Sequence, residues 1–138
     1  MKKIISFIIT LSVILSAGLF IGCAKTSVDI EGFRFTYEKN SAQKITSENQ
    51  EFITLKLNVK NTTSEVKNII SDDFVLKQGD NIVSDEVFFG NNIIDQMDNE
   101  SLEAMDDEDM VIHIKTISNI GGEYQLYYRD SKLLNFKL

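Results

Sequence analysis

Residues 51 to 61, EFITLKLNVKN, alternate with a period of two. Ile53, Leu55, Leu57 and Val59 share one parity, and Phe52, Thr54, Lys56 and Asn58 share the other. A strand sends successive side chains to opposite faces, whereas a helix would need apolar residues three and four apart. The segment is therefore an antiparallel strand with one face against a core and the other toward water. Such a strand cannot bury its apolar face alone, so the chain must supply a second layer.

The same rhythm recurs. In DMVIHIKTI (109 to 117), Met110, Ile112 and Ile114 oppose Val111, His113 and Lys115. In EYQLYYRD (123 to 130), Tyr124, Leu126 and Tyr128 oppose Gln125, Tyr127 and Arg129. Leu134, Phe136 and Leu138 line one face of KLLNFKL, and the intervening RDSK fits a tight hairpin. DFVLKQGDNIVS (73 to 84) reads as two short strands about a Gln-Gly-Asp turn, with Phe74 and Leu76 inward. In SVDIEGFRFTYEK (27 to 39), Val28 and Ile30 differ in parity from Phe33, Phe35 and Tyr37. Gly32 sits at the change, and a β-bulge there would return the apolar set to the core. About seven short strands with no helical period after residue 23 predict an all-β, antiparallel, immunoglobulin-like β-sandwich. The Cys–Trp–Cys pattern of antibody domains is absent, since the chain has one cysteine and no tryptophan. Tyr124 stands where a tyrosine corner would form; an ordinary core tyrosine is the alternative.

The amino-terminal residues have a different character. Met1, Lys2 and Lys3 precede an uncharged, mostly apolar run from 4 to 21, and Gly22 and Cys23 follow. A basic start, an apolar middle and small residues at the end are the parts of a secretory signal peptide, with the lysines held on the cytoplasmic side. The run also lies at the lower edge of transmembrane length. Gly22-Cys23 separates the two readings, because FIGCAK (20 to 25) resembles the lipobox of bacterial lipoproteins. That resemblance implies cleavage between Gly22 and Cys23 and diacylation of the Cys23 thiol. Phe20 stands where the motif usually has leucine. A lone cysteine excludes an intrachain disulfide, so the domain must hold together through its core.

Charge narrows the partners. The chain carries a net charge of −7, which becomes −9 once Lys2 and Lys3 are removed. Such a domain is repelled by nucleic-acid phosphates and by anionic headgroups. Only Ala24, Lys25 and Thr26 separate Cys23 from the expected first strand, so the domain should stay close to the membrane.

Over most of residues 27 to 138 the chain resembles small bacterial lipoproteins with an immunoglobulin-like domain of unknown function. The segment FITLKLNVKNTTSEVKNIISDDFVLKQGD carries the likeness: an alternating strand ending in VKN, a polar stretch, then a DF-x-L segment. The closing pair at 123 to 138 is similar too. Those proteins usually have a Pro-Gly turn before their fifth strand, where MDDED stands here. The resemblance implies a fold and a surface location, and no activity.

Candidate sites are few. Residues 95 to 109, DQMDNESLEAMDDED, hold eight carboxylates and no basic residue. Asp106, Asp107, Glu108 and Asp109 are the candidate cation ligands, since hard cations take oxygen. The spacing does not fit an EF-hand loop, and a solvated acidic connection with at most one helical turn is the preferred reading. His113, the only histidine, is expected on the exposed face, without partners for zinc and without a nucleophile elbow nearby. Val87, Phe88 and Phe89 fit a buried edge strand; alternatively Phe88 and Phe89, joined by the outward-facing Tyr127, form an exposed aromatic patch that docks a partner.

These readings divide the chain into a removed signal peptide (1–22), a lipidated cysteine with a short tether (23–26) and a β-sandwich domain (27–138). The expected function is that of a lipid-anchored protein on the outer face of the bacterial cell membrane, binding a protein or envelope component. No cofactor, no metal and no nucleic-acid partner is expected. A small cell-envelope hydrolase and a structural subunit of an envelope complex are the alternatives.

Overall fold

The computed structural model describes residues 25–38, 41–116 and 121–138. Gly22 and Cys23, with the expected signal peptide and cleavage point, lie outside the described residues. Twelve strands are present among them: β1 (Lys25–Ile30), β2 (Phe33–Glu38), β3 (Gln43–Ser47), β4 (Gln50–Asn61), β5 (Lys67–Ile70), β6 (Phe74–Gln78), β7 (Asn81–Ser84), β8 (Val87–Phe89), β9 (Asn99–Leu102), β10 (Asp107–Thr116), β11 (Glu123–Tyr128) and β12 (Ser131–Lys137). All pairings are antiparallel. The larger sheet runs β1-β2-β4-β10-β8, with β3 also paired to β4; the second runs β12-β11-β6-β7; β5 and β9 form a separate ribbon.

The two larger sheets pack face to face as a β-sandwich. Ile53, Leu55, Leu57 and Val59 of β4 are buried, as their parity requires, and Met110, Ile112 and Ile114 of β10 join them. Aromatic rings bridge the layers. Phe35 of β2 meets Phe74 of β6 edge to face at 6.2 Å, and Tyr128 of β11 lies 5.0 Å from Phe35. Rings at these separations and tilts add to the stabilisation from buried area. The Tyr128 hydroxyl is buried among them with no hydrogen-bond partner among the described residues, and burial pushes its pKa up to about 12.

Several expectations change. Residues 27 to 39 are two strands and not one bulged strand. Glu31 and Gly32, at φ 49° and 86°, make a two-residue turn, and Ile30 pairs directly with Phe33. Two adjacent residues with positive φ are the signature of a hairpin turn matched to strand twist. Directly paired residues share a face, so Val28 and Ile30 fall beside Phe35 and Phe33 because the chain reverses. The strand count is twelve and not about seven, since β3, β5 and β9 pair despite weak alternation. Residues 95 to 109 hold no helical turn: they contribute β9 and the first residues of β10. In the MDDED segment that leads into β10, Met105 takes the left-handed conformation (φ 63°), and the Asp106 N–H donates to the Glu103 carbonyl at 3.2 Å.

Asn61 explains the VKN ending of β4. It is fully buried. Its Nδ2 lies 2.7, 3.0 and 3.2 Å from the carbonyl oxygens of Glu65, Leu102 and Glu103. Its Oδ1 accepts from the Thr63 N–H at 3.0 Å and the Thr63 hydroxyl at 2.7 Å. One side chain thus ties β4 to the turn after it and to the chain leaving β9. At the same end of the sandwich, Arg129 pairs with Glu31 of the first hairpin and with Asp73 at 3.3 Å.

Candidate functional site

A strand has two faces, and the outer face of the larger sheet carries the unusual residues. His113 of β10 pairs with Thr54 of β4 on one side and Phe88 of β8 on the other. Its parity is as expected, opposite Ile112 and Ile114, but it is not exposed: 2% of its surface reaches solvent. Phe88 stacks on the imidazole at 5.1 Å, and Phe52 meets Phe88 edge to face at 5.9 Å. Both ring nitrogens have partners. Nδ1 lies 2.8 Å from the Thr54 hydroxyl, and Nε2 lies 2.9 Å from the Gly90 carbonyl, which can only accept. Nε2 therefore donates to the carbonyl, and Nδ1 is met by a hydroxyl that can donate or accept.

Gly90, whose carbonyl meets His113 Nε2, begins the 90–98 loop. At φ 154° it adopts a conformation side chains rarely take, and a Cβ there would overlap the Asp95 carbonyl oxygen. The loop is held by reciprocal backbone bonds between Phe89 and Met97, at 2.7 and 2.8 Å. The Asn92 side chain accepts from the N–H groups of Ile94 and Asp95 at 2.9 and 2.8 Å.

The expected aromatic patch is corrected. Phe88 and Phe89 are 8% and 1% exposed, so neither offers a free ring. They also point oppositely: Phe89 packs inward on Phe74 at 5.8 Å, while Phe88 faces His113. Tyr127 is half-buried on the outer face of the second sheet, where Lys77 Nζ lies 4.4 Å from its ring centre. The sandwich stands between Tyr127 and Phe88, so they cannot form one surface.

The acidic segment is also rearranged. Asp106 is in the turn before β10, while Asp107, Glu108 and Asp109 are strand residues. Alternation sends Asp107 and Asp109 to one face, where Asn58 Nδ2 donates to both, at 2.8 and 2.9 Å. Glu108 goes to the other side, toward Glu100 of β9. Burial, and then the neighbouring Glu108 carboxyl, raise the Glu100 pKa above the ordinary carboxylate value. Pairing divides the four carboxylates, and among the described residues no three carboxylate, histidine or cysteine side chains converge as metal ligands.

A cleft of about 710 Å³ lies beside the 90–98 loop; of the candidate docking residues read from the sequence, Phe88 lines it and Phe89 and Tyr127 do not. Phe52, Val87 and Phe88 line its floor, and Ile93 and Ile94 its loop wall. Glu48, Asp72, Asp85, Glu86 and Asp98 surround it with a single cation, Lys115, which pairs with Glu86 at 3.3 Å. A second depression, bearing Ile82, continues from it and shares Asp85, Glu86 and Lys115. The residues come from the β3–β4 turn, the 3-10 turn Ser71–Asp73 between β5 and β6, the approach to β8, the 90–98 loop and β10, which only pairing brings together.

The sandwich resembles a solved structure. It superposes on the crystal structure of YcdA from Bacillus subtilis, described as a lipoprotein, with a TM-score of 0.58 at 18% identity over 83% of this chain. This chain spans 38% of the length of YcdA. The likeness bears on the fold. No protein family and no curated protein matches the sequence.

Proposed function

We propose that this chain is a lipoprotein of the bacterial cell envelope whose β-sandwich is a binding module working beside the membrane. In this reading residues 1–22 are removed, Cys23 carries the lipid, and the domain stands on the outer face of the membrane. The observation that carries it is Gly22-Cys23 directly after an uncharged run of signal-peptide character. The likeness to YcdA, described as a lipoprotein, supports it. Two buried acyl chains, at about 0.8 kcal/mol per CH₂, would anchor the protein stably.

The sandwich is of the immunoglobulin-like kind in this proposal. Its support is Tyr124, whose hydroxyl accepts from the Gly121 N–H at 2.9 Å, a bond of the tyrosine-corner type. Only Ala24 stands between Cys23 and β1, and two extended residues reach about 7 Å. The domain then faces partners in or near the membrane plane. The cleft lies beside the edge strand β8 and is the surface offered to them in this proposal.

Fatty-acid labelling and membrane fractionation in a bacterial host test the anchor. The parent chain should label and sediment with membranes, and Cys23→Ser should lose the label. Equal labelling of the two would overturn the lipoprotein reading.

A further inference from the structure

An open cleft that combines apolar side chains with an excess of one sign of charge selects its occupant by both properties. Five carboxylates surround this one, all on exposed residues: Glu48, Asp72, Asp85, Glu86 and Asp98. Lys115 is the single opposing charge, and Glu86 already engages it. The carboxylates therefore hold a negative field that nothing within the cleft balances, and a concave low-dielectric wall concentrates such a field. Apolar side chains flank them. Ile94 is 88% exposed on the loop wall and Ile82 is 65% exposed in the adjoining depression. Exposed isoleucines bordering a concavity mark a contact surface more strongly than isolated ones elsewhere.

We propose that this cleft binds a basic protein segment that carries aliphatic side chains between its lysines or arginines. The cations would sit among Asp72, Asp85 and Glu86, and the aliphatic groups against Ile94 and Ile82. Charge complementarity commits the occupant: an acidic or phosphate-bearing ligand would meet five carboxylates, and a purely apolar one would strip water from them without compensation. Phe52 and Phe88 give the cleft a rigid floor, because they are packed against each other and against His113. The 90–98 loop is fixed by the Phe89–Met97 bonds, so Ile94 is presented by a braced segment. This proposal rests on the binding-module reading above and names the partner class.

The test uses the full chain in zwitterionic nanodiscs and a fluorescein-labelled peptide alternating lysine with leucine, followed by fluorescence anisotropy. The expected result is saturable binding that weakens with salt and is absent for the counterpart with glutamate in place of lysine. Asp72→Asn/Asp85→Asn/Glu86→Gln should weaken binding at least tenfold, and Ile94→Ser severalfold. The control Glu103→Gln/Asp130→Asn alters exposed carboxylates elsewhere and should change nothing. Equal weakening by the control would show attraction to net charge alone and would overturn the proposal. So would equal binding of an all-lysine peptide, or no binding. The Cys23→Ser chain should bind the peptide as the parent does, so failure of the anchor and failure of the cleft give separate results.

Discussion

Asn61 is the side chain whose replacement should cost the domain most for its size. Asn61→Ala removes the donor to the Glu65, Leu102 and Glu103 carbonyls and the acceptor for Thr63. A net hydrogen bond contributes about 1 kcal/mol, and a buried group left without a partner costs about 1–3 kcal/mol. Glu65 and Glu103 are exposed residues, so water can replace the amide at their carbonyls. Leu102 is buried, and its carbonyl receives no such relief. The sum is about 3 kcal/mol, or a fall in Tm of roughly 12 °C for a domain of this size. Asn61→Asp should be worse at neutral pH despite its matching shape, because it aims a carboxylate at three carbonyls. That carboxyl would have a raised folded pKa. Its penalty is therefore greatest above that pKa and shrinks as the pH falls through it. Thermal unfolding followed by far-ultraviolet circular dichroism reads both variants. A fall below roughly 4 °C for alanine, or an aspartate variant no worse than alanine at neutral pH, would refute the reasoning.

Glu100→Gln should stabilise the protein at neutral pH and lose that advantage in acid. The Glu100 pKa is raised in the fold, so its charged form is disfavoured there, and stability falls as pH rises through the raised value; the Tm difference from the parent against pH measures this. Met105→Gly should raise stability by about 0.5–1 kcal/mol, since glycine takes the left-handed conformation without the side-chain penalty; a lower denaturant midpoint would contradict it. Gly90→Ala should destabilise by about 2 kcal/mol or more, because the added Cβ overlaps the Asp95 carbonyl. It should also loosen the Gly90–His113 bond, which the histidine ring signals in nuclear magnetic resonance would report.

The all-β class, the inward residues of β4, β6, β10 and β11, and the hairpin between β11 and β12 were legible in the chain, because alternation is a local property. So was the FIGCAK resemblance, which depends on contiguous residues. Other features needed partners distant in sequence. The parity change at Gly32 fits a bulge or a hairpin equally well until Ile30 is seen beside Phe33. His113 and Phe88 lie on the outward parity, and parity cannot tell that each covers the other. The acidic run reads as one cluster along the chain, but strand pairing assigns Asp107 and Asp109 to Asn58 and sends Glu108 toward Glu100. Beyond Val87 and Phe88, the cleft has no local signal. Glu48, Asp72, Asp85 and Ile94 are ordinary surface residues until the β3–β4 turn, the Ser71–Asp73 turn, the approach to β8 and the 90–98 loop meet around one cleft. Alternation specifies which way a side chain points; what it then faces is settled by long-range pairing, whose register depends on the whole core.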